Sequence, residues 1–267
     1  MSPRRRERPP GDPFVVEPYS PREVRFHLIG ASLNALCWLT AIAWLATAGR
    51  DAAPAWPWIV AAVVAGIYLA DLGSGLLHWG FDTWFDADVT FVRRMVLQVR
   101  EHHIHPSRIF LISFKQDAGT LSWIALLVTA PVLAWALVGG GTASWWALAT
   151  MVVFDPLLVF MLEFHKCGHR PAGPWWVKAL QKARLVLPVR HHLTHHSGNH
   201  DVNYCIINGW ADVTLGRLGL FRGLEWSIER LTGERPQRDD HEWFRRFGYR
   251  VEDGRVVGRG GGDGGET

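Results

Sequence analysis

Five of the thirteen histidines fall within the eleven residues from Arg190 to His200: His191, His192, His195, His196 and His200. Neither a packed core nor a solvated face calls for imidazoles at that density. A transition metal does, because the neutral ring nitrogen is a ligand for zinc, copper, iron and nickel. On a helix His192 and His196 stand one turn apart with His195 beside them, so the block presents two or three ring nitrogens to one point. Three more groups follow the same logic: His78, the pair His102 and His103 with His105 behind Glu101, and His165 with His169. Asp71, His78 and Asp82 share one stripe at the helical period. The nine histidines 78, 102, 103, 165, 169, 192, 195, 196 and 200 are too many for one metal, since a structural zinc takes four ligands and a catalytic zinc three plus water. Two metals with four or five nitrogens each is the better count. All-imidazole ligation leaves such a pair cationic, which suits dioxygen chemistry that takes hydrogen from an unactivated carbon. Hydrolysis, with Glu101 or Asp82 as base, stays open on chemistry alone.

The elements that must gather these groups are read from hydropathy. Apolar residues collect in blocks of about twenty, the length that crosses a ~30 Å hydrocarbon layer. The spacing predicts four transmembrane helices, over about 28–48, 56–77, 120–138 and 145–164, with a polar histidine-bearing cap formed by 78–116 and 165–245. The fold class expected is therefore all-α, an integral membrane protein with one domain over 27–245. Residues 1–26, with Arg4, Arg5, Arg6, Arg8 and several prolines, read as a disordered basic arm. The first apolar block lacks a small-residue cleavage pattern and reads as a retained anchor. Residues 246–267, ending in a glycine-rich run, read as a flexible tail. The segment 175–187, with Trp175 and Trp176, reads as a helix lying in the interface, the tryptophans serving as anchors or as the wall of a lipid entrance.

Lys and Arg are frequent in the arm, in 78–116 and after 165, whereas the two turns at 49–55 and 139–144 hold only Arg50. By the positive-inside rule both termini are cytoplasmic, in the inner membrane if the chain is bacterial. All four histidine groups then fall on one side, where a lipid chain can reach them from the bilayer. Asp71 and Asp155 lie inside apolar blocks, where an acid is expensive. Asp71 is expected to act beside the site because its stripe leads to His78, while Asp155 before Pro156 reads equally as a buried tie or a functional acid. The net charge of +3 gives no argument for nucleic acid, and three cysteines at no ligand spacing, Cys37, Cys167 and Cys205, argue against a disulfide framework and fit a reducing compartment.

At these residues the chain resembles the plasmanylethanolamine desaturase family, which also includes plant plastid enzymes that desaturate phosphatidylglycerol acyl chains. The similar stretches are Asp71 to Trp84, Arg100 to Pro106, His165 to His169, Leu187 to His196, then His200, Tyr204 with Cys205, Asn208 to Trp210, Leu231 to Pro236, and Asp239 with Asp240. They cover roughly residues 70 to 245 in order. The resemblance implies a membrane desaturase with a histidine-held non-haem di-iron centre. Its reaction turns the 1-O-alkyl chain of an ether phospholipid into a vinyl ether, using dioxygen and two electrons from a small carrier such as a cytochrome b5-like protein or ferredoxin. The nine histidines would hold the irons, His191 would be a ligand or a partner behind one, and Asp82 and Glu101 would orient imidazoles by accepting their second N–H. His105 stands where the family usually carries Asp.

The residues leave two other readings open. The same ligands would serve an acyl-lipid desaturase or hydroxylase, since they do not encode which carbon is attacked. A non-catalytic membrane sensor binding zinc is the third.

Overall fold

The computed structural model describes residues 19–86, 88 and 91–259. The expected basic arm up to 18 and the glycine run from 260 lie outside the described residues. Four helices are long and apolar enough to cross a membrane: α1 (Pro21–Ala46), α2 (Trp56–Thr83), the 118–139 part of α4 (Phe114–Gly139) and α5 (Thr142–Val159). Between α2 and α4 come α3 (Arg93–Ile104) and a 3-10 segment (Pro106–Leu111). After α5 come α6 (Met161–Gly168), α7 (Trp175–Lys182), α8 (Val189–His196), a short π-helical turn (Asp212–Gly216), α9 (Leu220–Thr232) and α10 (Asp240–Arg246).

Local chemistry accounts for several of these ends. A capping box opens α1, where Ser20 Oγ accepts from the Glu23 amide and Glu23 accepts from the Ser20 amide, with Pro21 in the first turn. The helix therefore begins seven residues before the expected span and takes 21–26 from the expected disordered arm. The fourth span is shorter than expected. Pro156 lies within α5, the chain breaks at Phe160, and α6 carries His165 off in a new helix. The second span is longer, so His78 and Asp82 occupy the last turns of α2 itself.

In the bundle α2 packs on α5, α1 on α4, and α4 on α5. Close approach of α2 to α5 needs Gly66, where a Cβ would stand 2.6 Å from the Thr150 carbonyl oxygen. Asp155 proves to be a buried tie: its carboxylate accepts from Asn34 Nδ2 at 2.9 Å and Thr129 Oγ1 at 3.0 Å, linking α5 to α1 and α4. Leu36, Trp58 and Leu127 are each more than 60% exposed on the outer faces, as lipid-facing side chains are. Together with the family membership established below, these helices identify an integral membrane protein.

The all-α expectation and the flexible tail are both corrected at the same place. Residues Tyr249–Glu252 (β1) and Arg255–Arg259 (β2) form an antiparallel hairpin packed against α10. Its turn residues Asp253 and Gly254 have φ of 49° and 68°, the pair of positive values that a two-residue hairpin turn uses. Val256, Trp243 and Phe244 are buried in the same apolar core as Val96 and Val99 of α3, so the segment has enough to bury to be ordered.

Candidate metal centre

The four histidine groups meet where α2 ends, α5 gives way to α6, and α3 and α8 cross above them. Two clusters stand side by side. In the first, His102 (α3), His165 (α6), His169 (just after α6), His192 and His196 (α8) each offer a ring nitrogen, all within 4.8 Å of one another. In the second, His78 and Asp82 (α2), His103 (α3) and His195 (α8) do the same. The clusters touch: the rings of His102 and His103 are 4.8 Å apart, those of His78 and His165 5.3 Å.

Four imidazoles are aimed by hydrogen bonds from behind. Nδ1 of His78 faces the Tyr204 carbonyl at 2.9 Å, that of His102 the Val99 carbonyl at 2.5 Å, and that of His195 the Val202 carbonyl at 2.8 Å; Nδ1 of His103 meets Asp240 Oδ2 at 2.9 Å. A carbonyl only accepts, so the first three Nδ1 atoms carry the proton, and their Nε2 lone pairs point inward. Burial holds the imidazoles outside the membrane spans well below their ordinary range: His169 and His200 to about 4, His196 to about 2, with His102, His103, His165, His192 and His195 also far down. At neutral pH they are unprotonated, the form that binds metal.

The donor arrangement fits cations. Nε2 of His192 lies 2.8 Å from Nε2 of both His165 and His169 and 3.0 Å from that of His196. Neutral imidazoles crowded this way turn lone pairs on one another, and a positive ion among them removes the repulsion. In the second cluster Nε2 of His78 and both carboxylate oxygens of Asp82 are buried with no hydrogen-bond partner among the described residues. Asp82 faces Nε2 of His78, His103 and His195 at 3.5–3.6 Å. Those are the spacings of ligands around one ion, and they set the Asp82 carboxylate level with the three imidazoles as a candidate donor.

The other acid expected to orient imidazoles is Glu101. Its carboxylate pairs with Arg108, and the clusters do not include it. An acid that stands behind an imidazole is Asp240, which sequence reasoning passed over as a site residue. It binds His103 Nδ1 and forms an ion pair at 2.9 Å with Arg100, whose guanidinium is fully buried and lies over Trp243. Burial lifts the Asp240 carboxyl to about 6 although Arg100 opposes the rise. His200 stacks on His103 with ring centroids 3.9 Å apart, grouped with Asp240 at the edge of the second cluster. His191 is in neither cluster. Its Nε2 binds Asp212 Oδ2 at 2.9 Å, and the same oxygen accepts the Cys205 amide. His105 is in none of the three groups.

Asp71 explains how the loop 204–211 is held against α2. Its Oδ1 accepts the amides of Ile207, Asn208 and Gly209, and its Oδ2 that of Ala211, at 2.9–3.2 Å. One turn on, Ser74 Oγ accepts the Ile206 amide, and a Cβ at Gly75 would run into Cys205 Sγ. The stripe of Asp71, Ser74, Gly75 and His78 is thus one docking face for irregular backbone, and its last member takes its orientation from that backbone.

The family model described as a lipid desaturase domain matches residues 67–239, a stretch holding Asp82 and every histidine of the clusters and stopping one residue before Asp240. The chain is 35% identical to plasmanylethanolamine desaturase 1 of Mus musculus over 200 residues, 72% of each chain. It is 30% identical to the plasmanylethanolamine desaturase of Myxococcus xanthus over 183 residues, 68% of this chain and 64% of that one. With the chloroplastic fatty acid desaturase 4 of Arabidopsis thaliana it shares 31% over 175 residues, 65% and 52% of the two chains. No solved structure matches the chain.

Proposed function

Because the chain belongs to the lipid desaturase family, and so is an oxidoreductase of membrane lipids, we propose that it forms the vinyl ether of plasmalogens from a 1-O-alkyl phospholipid. The observation that carries this reading is the pair of touching clusters, five imidazoles in one and three imidazoles with a carboxylate in the other. The choice of substrate is supported by its relatives in mouse and Myxococcus xanthus, which are named plasmanylethanolamine desaturases. A zinc-sensing role falls with the family assignment, whose curated members are desaturases.

Two non-haem irons bound at these clusters would supply the four-electron reduction of dioxygen to two waters, two electrons coming from a carrier and two from the C–H bonds broken. The protein's own part is to keep the imidazoles neutral by burial, to fix their Nε2 atoms inward through Tyr204, Val99, Val202 and Asp240, and to add one negative charge at Asp82. We place the clusters on the cytoplasmic side with both termini, on the charge distribution of the loops. A cytochrome b5-like protein or ferredoxin would reach them there.

Expression in a host without plasmalogens, supplied with an alkyl ether lipid precursor, tests the reaction through the appearance of acid-labile vinyl ethers. The chloroplastic relative supports the second reading, acyl desaturation. A new acyl double bond with no vinyl ether would establish that one instead.

A further inference from the structure

Contacts with α2 trace the path of the chain after His200. The Tyr204 carbonyl meets Nδ1 of His78, the Ile206 amide meets Ser74 Oγ, the amides of Ile207 and Ala211 meet Asp71, and the Thr214 and Tyr68 hydroxyls are 2.6 Å apart. The chain thus descends α2 from the level of residue 78 to that of residue 68, about 15 Å at ~1.5 Å per helical residue. It reverses at Gly219, whose φ of 87° favours glycine, and α9 climbs back. On the return Glu225 accepts from Trp79 Nε1 at 3.0 Å, and the Gln237 amide donates to the Thr83 carbonyl at 2.9 Å.

Trp58, 62% exposed near the other end of α2, fixes where hydrocarbon lies along that helix, since tryptophan suits the interfacial belt. A ~30 Å layer starting there takes about twenty residues and ends near His78. Tyr68 is then close to the midplane, and Thr214 with it. Two observations fit that depth. The backbone of 206–211 has its amides satisfied by Asp71 and Ser74, which is what irregular backbone needs where water is absent. The outward surface is also apolar: α9 turns Phe221, Leu224 and Ile228 toward Trp79 and Tyr204, and leaves Leu218 84% and Trp226 67% exposed. These lie at the depths where Leu69 and Leu76 of α2 are themselves exposed, so the hairpin continues the lipid-facing belt of the bundle. Arg217 and Arg222, both exposed, have stems long enough to bring their guanidinium groups toward phosphates.

We propose that residues 204–225 form a re-entrant hairpin, which enters the bilayer from the side of the histidine clusters, turns near the midplane with Leu218 among acyl chains, and returns with Trp226 at the head groups. The occupant of its apolar face is the hydrocarbon of one leaflet, and Arg217 and Arg222 pair with the phosphates above. Part of the segment expected to lie wholly in the polar cap is therefore in lipid. Because the descending limb supplies the carbonyl that aims His78, the hairpin also holds the second cluster at the hydrocarbon boundary. The proposal is independent of which lipid is the substrate.

The test uses the full-length, metal-loaded protein in nanodiscs of phosphatidylcholine and phosphatidylglycerol, with a trace of phospholipid carrying a diazirine in the middle of one acyl chain. Irradiation should place adducts on peptides covering 213–220 as well as on α2. Leu218→Cys and Arg222→Cys are then exposed to a membrane-impermeant maleimide, with wild type giving the background from the native cysteines. The Leu218→Cys thiol should stay unmodified until the bilayer is dissolved in denaturing detergent, and the Arg222→Cys thiol should react at once. Bound metal equal to wild type identifies folded variants; should either lose its metal, the adducts on the unaltered chain decide alone. Adducts on α2 with none on 213–220, or a Leu218→Cys thiol that reacts as fast as that of Arg222→Cys, would overturn the hairpin and place this face in water, open to a protein partner.

Discussion

Asp82 and Glu101 are alike in the sequence, two acids beside histidines, and the structure separates them by what surrounds each carboxylate. Asp82 has three imidazole Nε2 atoms around it, while Glu101 is paired with Arg108. Asp82→Asn should therefore cost the protein close to half its bound metal and abolish turnover, and Glu101→Gln should leave metal content near wild type; metal analysis of the two purified variants checks this. Burial of the imidazoles sets the acid limit. Unfolded histidine titrates near ~6.5, whereas folded His169 and His200 titrate at about 4. In that window the unfolded chain binds the protons and the folded chain does not, so stability of the metal-free protein falls as pH drops from about 6.5 toward 4. Thermal melts of metal-free protein at pH 7 and pH 5 should show the lower value at pH 5, and equal values would contradict it. The histidines were legible because density needs no fold to be noticed. Asp240 was not, because its partners Arg100 and His103 lie about 140 residues away and no spacing rule joins them.

Among the elements, the loop 204–211 carries the heaviest demand. It is irregular backbone alongside a helix that crosses the membrane, and such backbone is tolerated at membrane depth only where protein satisfies its amides. Asp71 satisfies four of them. Asp71→Ala should destabilise the protein by roughly 3 kcal/mol or more, since charged hydrogen bonds are the strong ones and their buried donors would be orphaned. Limited proteolysis should then cut between 204 and 211, and resistance equal to wild type would refute the anchoring role. The sequence pattern did reveal that Asp71 shares a stripe with His78. What it did not reveal was the partner, because the amides of a distant loop have no signature in composition. The hairpin is the opposite case. Its signal, Asp253-Gly254 between Val251 and Val256, was present and was outweighed by the glycine run after it.

At the scale of the whole molecule, the site exists because α2 and α5 deliver His78 and His165 to the same end of the bundle, where α3 and α8 meet them. Hydropathy was enough to foresee this, since four crossings return the chain to the side it started from. The break at Phe160 was not foreseen, because Val159 to Phe164 is as apolar as the span before it. Cysteine accessibility mapping in spheroplasts or inside-out vesicles should find single cysteines introduced at exposed positions 88 and 222 modified from the same side. Modification from opposite sides would separate α2 and α9, which the structure joins through Trp79 and Glu225.

Asp240 lies beyond every spanning helix in the order of synthesis, yet it holds the imidazole of His103. While a ribosome feeds the nascent polypeptide into the translocon, the four spans enter lipid before this carboxylate has been made. The cluster at His195 is therefore finished late, so an ion taken up there would meet a chain whose four spans have already been made.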